Sequence, residues 1–299
     1  MRTSKTAGGP TEAVTVVAGD GPIVLGMPHA GTWLPAEVMA TLNQRGRLLS
    51  DTDWHIDRVY AGLLPTASMV RANFHRYLID ANRDPSGESL YPGLTSTELV
   101  PTTDFDGQAI WITPPDAAEI ERRRRNWHAH YHAALEAQLQ RASERHGVAI
   151  LFDCHSIRSQ VPRLFPGTLP DFNIGTDYGR TCDPRIEATV RRHCEAAEGY
   201  TSVCNGRFRG GWSTRHHGRP AQQRHAVQLE IAQSTYMRES PPWDWLDAHA
   251  QRLRAVLAPL LMALDTLAPH LRSGCPDRNR RPDRTPALHP DPTDDGDST

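Results

Sequence analysis

Short apolar runs, each closed by a proline, a polar cluster or a glycine, recur along this chain, and their lengths predict strands rather than helices. Ile23-Val24-Leu25-Gly26-Met27 stops at Pro28, and Val148-Ala149-Ile150-Leu151-Phe152-Asp153 is the clearest run. Ala226 to Ile231 alternates, while Ser68 to Ala72 and Tyr77 to Asp80 are shorter. Helical stretches lie between. Asp53 to Leu64 puts Ile56, Tyr60 and Leu63 near one face. Pro115 to His146 is rich in good helix formers and stops at Gly147. Pro184 to Glu198 follows, and Trp243 to Leu267 carries a leucine stripe in which Pro259 is the expected kink or break. This alternation predicts an α/β fold: one domain, with a mixed central sheet covered by helices on both faces. In such folds, polar groups at the carboxyl ends of strands gather in one crevice.

Composition sets the limits of that domain. From Ser273 to Thr299 the chain is rich in Pro, Asp, Arg, Ser and Thr, and such a segment cannot offset its ordering entropy by burial. A disordered tail is expected over 273–299, a flexible one over 1–10, and a folded domain over 11–272. The 299 residues carry a formal net charge of -2, which argues against nucleic acid or an anionic membrane as partner. Arg122 to Arg125 is a basic run, but Glu119 and Glu121 lie on the same predicted helix. No apolar run approaches the ~20 residues that span a bilayer, and the polar N-terminus does not resemble a secretory signal. The five cysteines are irregularly spaced and form no CxxC pair, which suits reduced thiols in a cytoplasmic protein. Nothing in the pattern specifies an oligomeric state.

The candidate chemistry sits where the strands end. One run ends in Met27-Pro28-His29-Ala30-Gly31, another in Asp153-Cys154-His155-Ser156, and a third in Gln228-Leu229-Glu230; Asp80-Ala81-Asn82-Arg83 follows Tyr77. Histidines and carboxylates at strand ends suit a catalytic zinc, which takes three protein ligands and leaves one position open. Glu230 is then a candidate general base. Singly these signals are weak. The chain has 15 histidines, and most histidines are structural. Cys154 neighbours His155, but adjacent strand residues face opposite ways, so the two do not form a nucleophile–base pair. There is no Gly-x-Ser-x-Gly elbow.

Taken in order, the motifs resemble the N-formylglutamate amidohydrolase (N-formylglutamate deformylase) family, itself related to aspartoacylases and zinc carboxypeptidases. The resemblance is carried by Pro-His-Ala-Gly-Thr at 28–32, Asp-Thr-Asp-Trp-His-Ile-Asp-Arg-Val-Tyr at 51–60, Ile-Asp-Ala-Asn-Arg-Asp-Pro at 79–85 and Leu-Tyr-Pro-Gly at 90–93. It continues in Asp-Cys-His-Ser-Ile at 153–157, Leu-Pro-Asp-Phe-Asn-Ile-Gly-Thr at 169–176, Gly-Gly-Trp-Ser-Thr-Arg at 210–215 and Val-Gln-Leu-Glu-Ile at 227–231. It implies a zinc carboxypeptidase-like fold and one zinc ion per chain. It also implies hydrolysis of N-formyl-L-glutamate to glutamate and formate, as in histidine degradation. His29 and His155 are implied as zinc ligands, Glu230 as the base, and Asn82-Arg83 as the pair that holds the substrate. Wider relatives use His-x-x-Glu, whereas Thr32 stands three residues after His29. The third ligand is therefore sought among Asp51, Asp53 and Asp57, with Asp53 preferred; the alternative for Asp51 or Asp53 is a helix cap.

A substrate with two carboxylates calls for at least two arginines, since the guanidinium fork matches a carboxylate. Arg83 is the first candidate, both for a carboxylate and for the oxyanion of the transition state. Arg215 is the second for substrate binding, with Arg209 and Arg76 behind it; the alternative for each is a solvated surface charge. Asp153 is a candidate to orient His155 from behind. Gly210-Gly211 is expected to allow a tight turn or close backbone approach. Deacylation or deimination of another N-acyl or N-formimino acidic amino acid would use the same residues. A non-catalytic paralogue that only binds ligand would lack the metal.

Overall fold

The structure is a computed structural model that describes residues 12–88, 93 and 95–271. The two expected tails, Cys275 and the Leu90-Tyr91-Pro92 portion of the family match lie outside the described residues.

Seven strands form one mixed sheet: β1 (Val14–Val17), β2 (Ile23–Met27), β3 (Ser68–Ala72), β4 (Ala149–Ile157), β5 (Phe172–Gly175), β6 (Ser202–Cys204) and β7 (Arg224–Ala232), in the order β1-β3-β2-β4-β7-β5-β6. β3, β2, β4 and β7 are mutually parallel, β1 runs antiparallel to β3, and β5 runs antiparallel to β7. The central strands β2, β4 and β7 are buried along their whole length, which is why β2 and the first half of β4 read as continuous apolar runs, while β7 alternates apolar residues with buried polar ones.

Helices cover both faces. On one, α2 (Ile56–Tyr60), α5 (Pro184–Glu195) and α7 (Asp247–Leu271) pack Val59, Ile186, Val190, Leu253, Leu257 and Leu261 against Ile150, Phe152, Leu229 and Ile231. On the other, α1 (Ala36–Thr41) and α4 (Ala129–His146) pack Val38, Tyr131, Leu135 and Leu139 against Val24, Leu151 and Ala226. α3 (Ala117–Arg123) leads into α4 through a π-helical segment at Arg124–His128, and Gly147 ends α4 in the left-handed conformation at φ 69°. Asp183 caps α5, its side chain accepting from the amide of Arg185, with Pro184 at the first turn. α6 (Trp212–His217) is short and lies against β7 and β4.

Several expectations are corrected. Tyr77 to Asp80 is not a strand: a turn at 76–78 carries the chain through the interior, and Tyr77, Leu78 and Ile79 are apolar because they are buried. The helix expected over 53–64 is only Ile56–Tyr60, and its cap is His55 at φ 60°, so neither Asp51 nor Asp53 caps it. α7 runs on past Pro259 without splitting. β1, β5 and β6 have three to four residues each, too short for a periodicity to register. Within the basic run, Arg122 and Arg123 pair with Glu119 while Arg124 and Arg125 pair with Glu121, so the helix compensates its own charge.

Candidate active site

Strand alternation decides which residues meet. Along β4, Ile150, Phe152 and Cys154 enter the α2/α5/α7 core, so Asp153 and His155 project from the other face. The parallel register with β7 sets Asp153 opposite Gln228 and His155 opposite Glu230. His29 lies two residues past the end of β2, and the amide of Asp53 donates to the His29 carbonyl at 3.1 Å. Residues far apart in sequence thus reach one buried point.

At that point one ligand atom from each of His29, Asp53 and His155 lies within 4.8 Å of the others, and all three residues are buried. Asp53 Oδ2 is 3.4 Å from His155 Nδ1 and 3.8 Å from His29 Nδ1, so both rings present the same nitrogen to the centre. Their far nitrogens meet carboxylates: His29 Nε2 is 2.6 Å from Asp80 Oδ1, and His155 Nε2 is 3.2 Å from Asp153 Oδ1. A carboxylate behind an imidazole fixes its tautomer and orientation, as behind metal-ligating histidines. Among the three aspartates left open by the sequence, only Asp53 joins the cluster. Asp51 accepts from the Tyr77 hydroxyl and the Phe105 amide, and Asp57 pairs with Arg71 at a half-exposed position.

The charges around the cluster are unbalanced. Asp51, Asp53, Asp80, Asp153 and Glu230 are all buried, with Arg76 the buried guanidinium among them. Burial opposes a charge on His155, yet Asp153 and Asp53 outweigh it and hold the ring well above its usual range. Burial would likewise raise Asp53, but His155, His29 and Arg76 hold it below the usual range. Burial pushes Glu230 up to about 7, with His155 opposing and Asp53 adding to the shift. A buried concentration of carboxylate oxygens beside two imidazole nitrogens suits a divalent cation, whose ligands must shed their protons to bind it. The guanidinium of Arg76 donates to His29 Nδ1, the edge a cation would occupy, so ligation requires Arg76 to move off that nitrogen.

The cleft above the cluster is lined by His29, Asp53, His155 and Glu230 and by three arginines, Arg76, Arg83 and Arg207, with Asn82, Thr97, Phe208 and Gln228 also on its walls. Arg83 is held at 2.9 Å by the Thr97 carbonyl, at 2.7 Å by the Thr97 hydroxyl and at 3.0 Å by the Asn82 carbonyl. Asn82 Nδ2 is 3.2 Å from His155 Nε2, and its Oδ1 accepts from the Ser213 amide at 2.8 Å. Behind this turn, His132 donates to the Ala81 carbonyl at 2.8 Å, and His128, on the π-helical segment, donates to the Arg83 carbonyl at 2.9 Å. Gly211 must be glycine for the turn to sit here, because a Cβ would fall 2.2–2.6 Å from the Asn82 side chain.

Arg215 is a correction. It is not among the described residues lining the cleft; its guanidinium lies 3.1 Å from Asp177 and donates to the Gly210 carbonyl, because α6 turns that face toward the 176–180 loop. Arg209 lies away from the cleft lining too, over the Tyr178 ring. Arg76 ranked low in the sequence but lies at the centre. Its signal was an arginine inside the largely apolar stretch Phe74 to Ile79, a position that a surface charge does not favour. Arg207 has no such signal, since Asn205 to Arg209 reads as a polar loop.

Comparisons with known proteins assign the chain to a family. The family model for N-formylglutamate amidohydrolase matches residues 21–237. An N-formylglutamate deformylase of Pseudomonas aeruginosa is 44% identical over 256 residues, which covers 85% of this chain and 96% of that protein. One from Pseudomonas putida is 44% identical over 247 residues, 81% and 92% of the two chains. Among solved structures, an N-formylglutamate amidohydrolase from Ralstonia eutropha JMP134 superposes with a TM-score of 0.72 at 28% identity, covering 88% of this chain and 99% of that one. A protein of Agrobacterium tumefaciens shares the fold, with a TM-score of 0.64 at 18% identity over 85% of this chain and 96% of that one. With a match this long and relatives this similar, the chain belongs to the N-formylglutamate amidohydrolase family.

Proposed function

We propose that this chain hydrolyses N-formyl-L-glutamate to L-glutamate and formate, with one zinc ion held by His29, Asp53 and His155. The observation that carries the reading is the convergence of those three ligand atoms beside a buried Glu230 in a cleft lined by arginines. Two imidazoles and one carboxylate form a ligand set common at catalytic zinc. A cytoplasmic location and a single catalytic domain over 11–272 belong to the same proposal.

The amide resists hydrolysis because its nitrogen donates into the carbonyl. Zinc, when bound, supplies Lewis acidity toward that carbonyl and toward water. Glu230 takes a proton from the attacking water as its oxygen bonds to the formyl carbon. Glu230 then delivers that proton to the nitrogen as the C–N bond breaks, so one carboxylate serves as base and then as acid. Asp80 and Asp153 hold the two imidazoles in register. Arg76 and Arg83 supply donors for the developing oxyanion, Arg76 from beside the cluster and Arg83 from the wall. Arg83, backed by Asn82, also takes the α-carboxylate of the substrate.

The test is Glu230→Gln assayed on N-formyl-L-glutamate, with metal content measured on the same sample. The expected result is a loss of turnover of about 10²–10⁴-fold with zinc retained near one per chain. Wild-type turnover in the variant would remove Glu230 as the base. A wild-type enzyme that releases acetate or ammonia from the corresponding N-acetyl or N-formimino substrate, but no formate from the formyl one, would overturn the substrate assignment.

A further inference from the structure

We propose that Arg207 is the specificity-determining residue that binds the side-chain carboxylate of the substrate; the inference rests on the hydrolase reading above. Three arginines line the cleft, and the substrate offers three anionic or incipiently anionic groups: the oxyanion, the α-carboxylate and the side-chain carboxylate. The three guanidinium groups differ in how directly their contacts link them to the reacting centre. Arg76 contacts His29 itself. Arg83 lies one step back, next to Asn82, which touches His155, and 3.8 Å from Asp80, which holds His29. Arg207 is tied to other segments of the wall: Nε donates to the Leu164 carbonyl at 2.8 Å and Nη2 to the Thr95 carbonyl at 2.5 Å.

That order matches the substrate. The α-carboxylate is attached to the same carbon as the scissile nitrogen, so it falls close to the centre and within the range of Arg83. The side-chain carboxylate is two methylene groups farther out, which leaves Arg207 as the cleft arginine to take it. Leu164 and Phe208 line the cleft beside Arg207 and give the methylenes an apolar surface. The guanidinium carbon of Arg207 stands 5.4 Å from the centroid of the Phe208 ring, and the two carbonyls orient the group from behind. A guanidinium positive charge on this wall favours a carboxylate over an uncharged carboxamide.

The experiment compares N-formyl-L-glutamate with N-formyl-L-glutamine, which has nearly the same shape and no side-chain charge, in wild type, Arg207→Met and Arg207→Lys. In wild type, kcat/KM favours the glutamate substrate by about 100-fold. In Arg207→Met that ratio falls to about 10 or less, through a rise in KM on the glutamate substrate that exceeds any loss on the glutamine substrate. Arg207→Lys keeps part of the preference. The ratio between substrates does not depend on the fraction of folded enzyme, and the lysine variant covers a failure of the methionine variant to fold. Equal losses on both substrates, or a wild-type enzyme that does not prefer glutamate, would overturn the assignment to Arg207. A wild-type enzyme inactive on both substrates would instead overturn the hydrolase reading.

Discussion

A single methyl group at position 211 should disable the enzyme through Asn82. The backbone of Gly211, at φ -83° and ψ -164°, suits any residue, so Gly211→Ala introduces no conformational strain and by itself would add about 0.4–1 kcal/mol through the unfolded state. The added Cβ, however, would lie 2.2 Å from Asn82 Nδ2 and 2.6 Å from its Cγ. Asn82 is 4% exposed and cannot yield without giving up the Ser213 amide at 2.8 Å and His155 at 3.2 Å. Two lost hydrogen bonds at about 1 kcal/mol each, together with about 1–3 kcal/mol of overpacking, outweigh the entropic gain. The net expectation is about 2–5 kcal/mol of destabilisation. A shift of Asn82 and Arg83 by about 1 Å costs about 100-fold in kcat/KM. Formate release and denaturant unfolding measure the two effects. Asn82→Ala removes the obstacle, so Asn82→Ala/Gly211→Ala should match Asn82→Ala alone in a double-mutant cycle. Gly211→Ala with wild-type activity, or additive losses in the double variant, would refute the steric link between Gly211 and the substrate turn.

Asp153→Asn should weaken zinc binding by about 10–100-fold while leaving the three ligands in place, since Asp153 holds His155 from behind; a competitive chelator titration that returns the wild-type Kd would count against that role. A pH effect is expected far from the cleft, at His225. Its Nδ1 accepts from the Asp183 amide at 3.3 Å, and burial lowers its pKa to about 4, with Asp183 opposing and Arg185 assisting. Between about pH 6.5 and 4 the unfolded chain therefore holds the extra proton, so this histidine destabilises the fold progressively as pH falls through that window. Relative to His225→Gln, the wild type should lose up to about 3 kcal/mol from pH 7 to pH 4, measured by denaturant unfolding at several pH values. A stability difference constant across that range would show that His225 takes up its proton equally in the folded and unfolded chain, against the reasoning.

The sequence by itself determined the backbone of the argument. Buried strands are mostly apolar, so β2 and β4 were legible as runs and β7 as an alternating one, and the polar residues in or just after them, His29, His155 and Glu230, stood out. Motif order identified the family. Beyond that, local pattern had no purchase. Asp51, Asp53 and Asp57 share one short segment and one chemistry, and only the fold separates them: one reaches the imidazoles, one reaches Tyr77 and one reaches the surface. Tyr77 to Asp80 looks like a strand because burial demands apolar side chains whatever the backbone does. The arginines are the sharpest case. Arg215 sits in a family motif yet faces Asp177, whereas Arg207 sits in an unremarkable polar loop and lines the cleft. A guanidinium at the end of a long flexible stem carries no periodicity, so where it points is decided by the tertiary contacts that orient it.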